Sequence, residues 1–129
     1  MVPEQMRYAQ THEWCRLDGE FLVIGVTENA IRPLGDLIYV ELPENDDDVL
    51  IEVPFGEIEG SRGSKDLTSP VDGRVAEVNS RIVLNPEILN KDPYGDGWLV
   101  KLKAEGPISL DNLLSASDYE DFVRKRKAK

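Results

Sequence analysis

Apolar residues along this chain come in short alternating runs broken by Gly, Pro, Asn and Asp, the pattern of many short strands with helix in the minority. Two early runs are the clearest strands, FLVIGV at 21–26 and LIYVEL at 37–42; in the second, Ile38, Val40 and Leu42 share a face at period two. Between them, TENAIRPLGD reads as a turn or one helical turn that Pro33 ends. LPENDDD follows as a solvated loop, then PFGEIE as a strand, a tight turn, and a second strand. Pro70 and the Asp72-Gly73 pair mark another turn before a strand around Val75 to Val78. LNPEIL predicts a short helix with Asn85 as cap and Pro86 at its first position. In WLVKLK, Trp98, Val100 and Leu102 alternate with Leu99, Lys101 and Lys103. Ser117 and Glu120 make a capping box, and Tyr119, Phe122 and Val123 follow at helical spacing, which predicts a C-terminal helix. Its basic tail, RKRKAK, complements the negative end of that helix. Residues 1–6 and 124–129 are expected to fray.

The 129 residues point to a single domain, 1–129, long enough to bury a core without disulfides or a structural metal. With 25 Asp and Glu against 15 Lys and Arg, the formal charge of −10 repels polyanions and argues against a nucleic-acid partner. The opening stretch MVPEQMRYAQTHEW has no long apolar run, so it reads as neither a signal peptide nor a membrane span. Cys15 is the sole cysteine, which excludes an internal disulfide and fits a reducing compartment: the cytoplasm, or the mitochondrial matrix in a eukaryotic source. Without heptads or a long apolar helix face, a monomer is expected.

Catalytic constellations are mostly absent. One histidine and one cysteine cannot supply a zinc site, and neither HExxH nor CxxC spacing occurs. The acidic run lacks the glycine and distal glutamate of an EF-hand loop. GSRGSK suggests a phosphate cradle, yet Ser64 separates Gly63 from Lys65 and breaks the Walker spacing. His12, beside Glu13 and Trp14, has the chemistry of a general base; the plainer reading is a strand-edge ring satisfied by a neighbour. Cys15 reads as a small core hydrophobe. With no paired acid and base and no nucleophile assembly, a carrier or binding domain is a better reading than an enzyme.

A series of segments carries a family resemblance: RYAQTHEW, IGVTENAIRPLGDLIYVELPE, PFGEIE, SPVDGRVAEVN, LNPEILNKDPYGDGWLVKLK and LDNLLSASDYEDFV. In this order, nearly end to end, they resemble the H proteins of the glycine cleavage system. The resemblance implies a mainly β, barrel-sandwich hybrid of the biotinyl/lipoyl type, with short flanking helices and a C-terminal helix. It implies a non-catalytic shuttle whose lysine, at a hairpin tip, is amidated by lipoate. Its implied partners are glycine decarboxylase, aminomethyltransferase, lipoamide dehydrogenase and a lipoyl ligase. It also implies a cleft for the loaded arm, lined here by the residues matching Thr11, Glu13 and Asp66; those residue types are equally ordinary beside a first strand and a turn.

At the tip the chain departs from the family. Laid without gaps from Phe55 to Pro70, Glu59 matches the family's glutamate, Gly60 a serine and Ser61 a valine, and Arg62 takes the place of the lipoyl lysine. Gly63 matches an alanine, Lys65 a serine and Asp66 the aspartate. A guanidinium stays charged with its lone pairs delocalised, so Arg62 is not expected to be modified. Lys65 carries an amine, but an odd displacement along a strand points it to the other face, away from the tip. Two readings follow: an H-like binding or regulatory protein with no cofactor, or an aminomethyl carrier lipoylated at Lys65.

Overall fold

In the computed structural model, which describes residues 2–127, the chain begins with β1 (Arg7–Tyr8), β2 (Glu13–Asp18) and β3 (Phe21–Val26). A single helical turn, α1 (Glu28–Ile31), passes into a 3-10 turn at Arg32–Leu34 that contains Pro33. Four strands follow: β4 (Leu37–Glu41), β5 (Asp48–Val49), β6 (Gly56–Gly60) and β7 (Gly63–Leu67). Then come β8 (Gly73–Val78), the short helices α2 (Ser80–Leu84) and α3 (Glu87–Lys91), β9 (Val100–Lys103) and α4 (Ala116–Lys127). Six strands form one antiparallel sheet in the order β1-β2-β3-β9-β8-β5; β4-β6-β7 form a second.

The two sheets close on a shared core. Leu22, Ile24 and Leu102 from the larger sheet and Val40, Ile58 and Leu67 from the smaller belong to one buried cluster, with Ile31, Leu34, Ile82 and Leu89 of the helices. Full burial of each such side chain contributes about 2 kcal/mol, so this cluster holds the sheets together. The opposite face of β2 and β3 presents Trp14 and Val23 to a second cluster with Val2, Met6, Tyr8, Ala116 and Tyr119. That cluster docks α4 and the N-terminal segment: Tyr8 stacks on Tyr119 at 4.8 Å between ring centroids, and Tyr8 exchanges backbone hydrogen bonds with Leu114. Residues 2–6, where fraying was expected, place Val2 and Met6 in this cluster, and the described part of the tail, 124–127, continues the helix.

Several local expectations are corrected by packing. Ile38 does not share the buried face of Val40: it is 60% exposed, because a register irregularity between Leu37 and Tyr39 turns the chain over at that point. Leu99 is fully buried and lies before β9, its N–H donating to the Ile24 carbonyl, so the alternation expected from Trp98 starts at Val100 instead. Pro86 stands just before α3 rather than within it. The cap of α4 is Ser115, whose Oγ accepts from the Asp118 N–H at 3.1 Å; Ser117 is already inside the helix. Helix α2 carried no expectation, and β5 emerges from the acidic loop.

Candidate functional site

The β6–β7 hairpin turns through two residues, Ser61 and Arg62, between the paired Gly60 and Gly63. Neither turn residue has a positive φ, so the loop is not one of the primed turns whose twist suits a two-residue hairpin. The missing support comes from outside the hairpin. The Ser61 N–H donates to the Asp36 carbonyl and the Arg62 N–H to the Leu34 carbonyl, both at 2.9 Å. The guanidinium of Arg62 adds a third bond, Nη2 to the Arg32 carbonyl at 2.9 Å. This close approach needs glycine on both sides. A Cβ on Gly60 would lie 2.1 Å from the Leu34 carbonyl oxygen, and Gly35 has φ +74° with its missing Cβ directed at Ser61 Oγ. The apex is thus clasped to the 3-10 turn, with the Arg62 side chain exposed.

Three residues on, the hairpin behaves differently. In the register of the smaller sheet, Val40 lies opposite Ile58 and Ile58 opposite Lys65; this row faces the core, since Val40 and Ile58 are buried. Lys65 therefore starts out pointing into the body of the protein. Its ammonium ends 3.3 Å from Glu13 Oε2, with the lysine side chain 21% exposed and that of Glu13 1% exposed. The other Glu13 oxygen, Oε1, accepts from the Thr11 hydroxyl. Oε2 lies at ion-pair distance from Lys65 but off the hydrogen-bond line, so its charge is compensated while its lone pairs accept no hydrogen bond within the chain.

Of the residues expected to line one cleft, Thr11 and Glu13 come together; Asp66 does not join them. Alternation sends Asp66 to the opposite side of β7 from Lys65, exposed and paired in register with Glu57. On that outer face Glu41, Glu57 and Asp66 stand in one row, with Tyr39 and Glu59 in the next. The field of Glu41 above all pushes the Tyr39 hydroxyl up, with smaller contributions from Glu57 and Glu59. The Lys65–Glu13 contact escaped sequence reasoning because its partners are far apart in the chain; the one local signal was the inward phase of Lys65.

His12 links the site to the C-terminal helix. It adopts φ +74°, and its Nδ1 lies 2.6 Å from the Tyr119 hydroxyl, which also lies 2.6 Å from Thr27 Oγ1. Burial, then the charges of Lys65 and Arg126, push the imidazole below its usual range. The ring is a positioned, neutral structural element. Burial likewise pushes the Cys15 thiol up to about 12, which leaves it unreactive. Among the described residues no group of three or more His, Cys, Asp and Glu is placed to hold a metal ion, and no helix is long and apolar enough to cross a membrane.

The arrangement has counterparts in known proteins. Residues 6–126 match the family model of the glycine cleavage H-protein. The chain belongs to this family. It is 38% identical over 125 residues to the glycine cleavage system H protein of Carboxydothermus hydrogenoformans, covering 97% of this chain and 96% of the relative. With that of Crocosphaera subtropica it shares 46% identity over 122 residues, 94% of this chain and 92% of the relative. The crystal structure of the H protein from Mycobacterium marinum superposes with a TM-score of 0.84 at 32% identity, over 93% of this chain and 97% of that one. The mainly β, barrel-sandwich fold with short helices and a C-terminal helix is therefore that of the H proteins.

H proteins are non-catalytic components of a multienzyme system and carry lipoate on a lysine. They work with glycine decarboxylase, aminomethyltransferase and lipoamide dehydrogenase. The apex of this member does not fit lipoate. Its exposed nitrogen is a guanidinium, and the adjacent amine points inward onto a buried carboxylate.

Proposed function

We propose that this chain is an H protein without a lipoyl arm, a binding or regulatory component that acts through its surface on the enzymes H proteins meet: glycine decarboxylase, aminomethyltransferase, lipoamide dehydrogenase or a lipoyl ligase. The observation that carries this reading is Arg62 at the clasped apex. Amide formation needs an amine that sheds a proton and attacks an activated acyl group, and a guanidinium has no such lone pair. What Arg62 offers instead is a fixed planar fork. One of its N–H groups is committed to the Arg32 carbonyl, and its exposed remainder suits a partner's carboxylate or phosphate.

Attachment at Lys65 is the competing reading, and the residue type favours it. Its surroundings do not: the ammonium is directed away from the apex and held against the buried Glu13 carboxylate, so it lacks reach. Purified chain, incubated with a lipoyl ligase and lipoate and then with glycine decarboxylase, is expected to support no exchange between glycine and bicarbonate. The Arg62→Lys variant, treated in the same way, is expected to gain it. Exchange by the native chain at levels typical of an H protein contradicts the arm-free reading.

A further inference from the structure

Beside the apex clasp, Arg32, Asp36 and Arg62 line an open cleft of about 510 Å³, together with the apolar Ile31 and Leu89 and the amide of Asn90. Asn90 ties α3 to the clasp segment: its Oδ1 accepts from the Leu37 N–H at 3.0 Å, and its Nδ2 donates to the Gly35 carbonyl at 3.1 Å. Arg62 lies along this cleft because Gly35 has no side chain; a Cβ there would stand 3.0 Å from Arg62 Nε. The charges in the cleft are of two kinds. Arg32 is already answered by Glu28, with Nη2 2.9 Å from Oε2. Arg62 and Asp36 are not: among the described residues neither enters an ion pair, with the other or elsewhere. Both are anchored on one clasp, by the Ser61 N–H on the Asp36 carbonyl and the Arg62 N–H on the Leu34 carbonyl. The fold thus holds an unanswered cation and an unanswered anion on one wall, and a ligand that needs both spends less on ordering them.

We propose that this cleft is a site for a small dipolar ion, a free α-amino acid, with its carboxylate on the Arg62 fork and its ammonium on Asp36. A plain anion on Arg62 meets the repulsion of Asp36, and a plain cation on Asp36 meets that of Arg62; a ligand with both charges satisfies each at once. After its bond to the Arg32 carbonyl the guanidinium keeps further N–H groups, in the planar arrangement that suits a carboxylate. Ile31 and Leu89 leave an apolar strip for a short aliphatic side chain. The inference deepens the arm-free reading by naming a ligand for the exposed fork, and it rests on that reading in needing a bare apex.

The probe is L-alanine, with propionate and ethylammonium as controls that keep its carbon skeleton and one charge each. In nitrogen-15 correlation spectra of the native chain, alanine is expected to give saturable shifts at Gly35, Asp36 and Arg62. Each control is expected to bind about tenfold more weakly, the loss of one charged hydrogen-bonded contact. Asp36→Asn and Arg62→Gln, both at exposed positions, are each expected to weaken alanine binding about tenfold. Alanine binding no tighter than that of either control overturns the proposal, as does the absence of saturable shifts in the native chain or undiminished binding by either variant. The arms on the native chain decide the matter even if a variant does not fold. No readout involves lipoate, so a lipoyl adduct sinks the arm-free reading while an unresponsive cleft sinks this one.

Discussion

Arg62 and Lys65 stand three residues apart on one hairpin, and the fold handles their charges in opposite ways. At the apex the guanidinium stays exposed and leans on a backbone carbonyl. Along the second strand the ammonium turns inward and neutralises a carboxylate that water hardly reaches. The first cation is supported by the scaffold and is nearly dispensable to it; the second is part of the scaffold. An H protein needs an amine at the exposed position, and in this chain the only amine in the hairpin is at the committed one. The difference comes from strand alternation acting on residue type, since a shift from an exposed turn to an inward strand position changes a cation's surroundings completely.

The largest effect that sharpens this contrast is at Lys65. Lys65→Met strips the buried Glu13 of its counter-charge, and is expected to lower unfolding free energy by about 3 kcal/mol in urea titrations, the range for breaking a buried pair. Adding Glu13→Gln to that variant is expected to restore most of the loss; additive losses contradict a coupled pair. Gly60→Ala comes next. With its new Cβ driven against the Leu34 carbonyl, it is expected to cost about 2 kcal/mol and to free the apex amides of Ser61 and Arg62 for hydrogen exchange.

The third effect is a pH dependence. The folded His12 has a depressed pKa, so the unfolded chain binds a proton first as pH falls through about 6.5, while the native chain does not. His12 thus contributes stability that is present above that pH and lost below it, and His12→Asn, which tolerates the positive φ, is expected to flatten the stability profile on the acid side. An unchanged slope removes His12 from the account. The smallest effect belongs to Arg62. Arg62→Ala loses one exposed hydrogen bond and is expected to cost about 0.5 kcal/mol; a loss comparable to that of Lys65→Met breaks the contrast.

Much of this was legible in the sequence where local pattern decides structure. FLVIGV became β3 with the bounds read for it, and the tight turn expected after PFGEIE fell at Ser61 and Arg62 between glycines. Tyr119, Phe122 and Val123 lie on one helix, as their spacing required, with Tyr119 fully buried. Legibility ended where distant segments decide. Ile38 follows a register irregularity against β6, and Ser115 outcompetes Ser117 as cap because the Tyr8–Leu114 bridge brings the chain into the helix at that point. At the site, the phase of Lys65 was readable and its partner was not: Glu13 meets it only once the two sheets close. Asp66 went astray for the converse reason, since a residue matched by position was credited with a cleft that its own strand phase turns it away from.

The central claim is that this chain accepts no lipoyl group, and intact mass followed by peptide mapping after incubation with lipoate, ATP and a lipoyl ligase tests it most directly. The account predicts an unmodified native chain and an Arg62→Lys variant that gains one adduct, at residue 62. A native chain carrying the adduct, whether at Lys65 or at another residue, contradicts it.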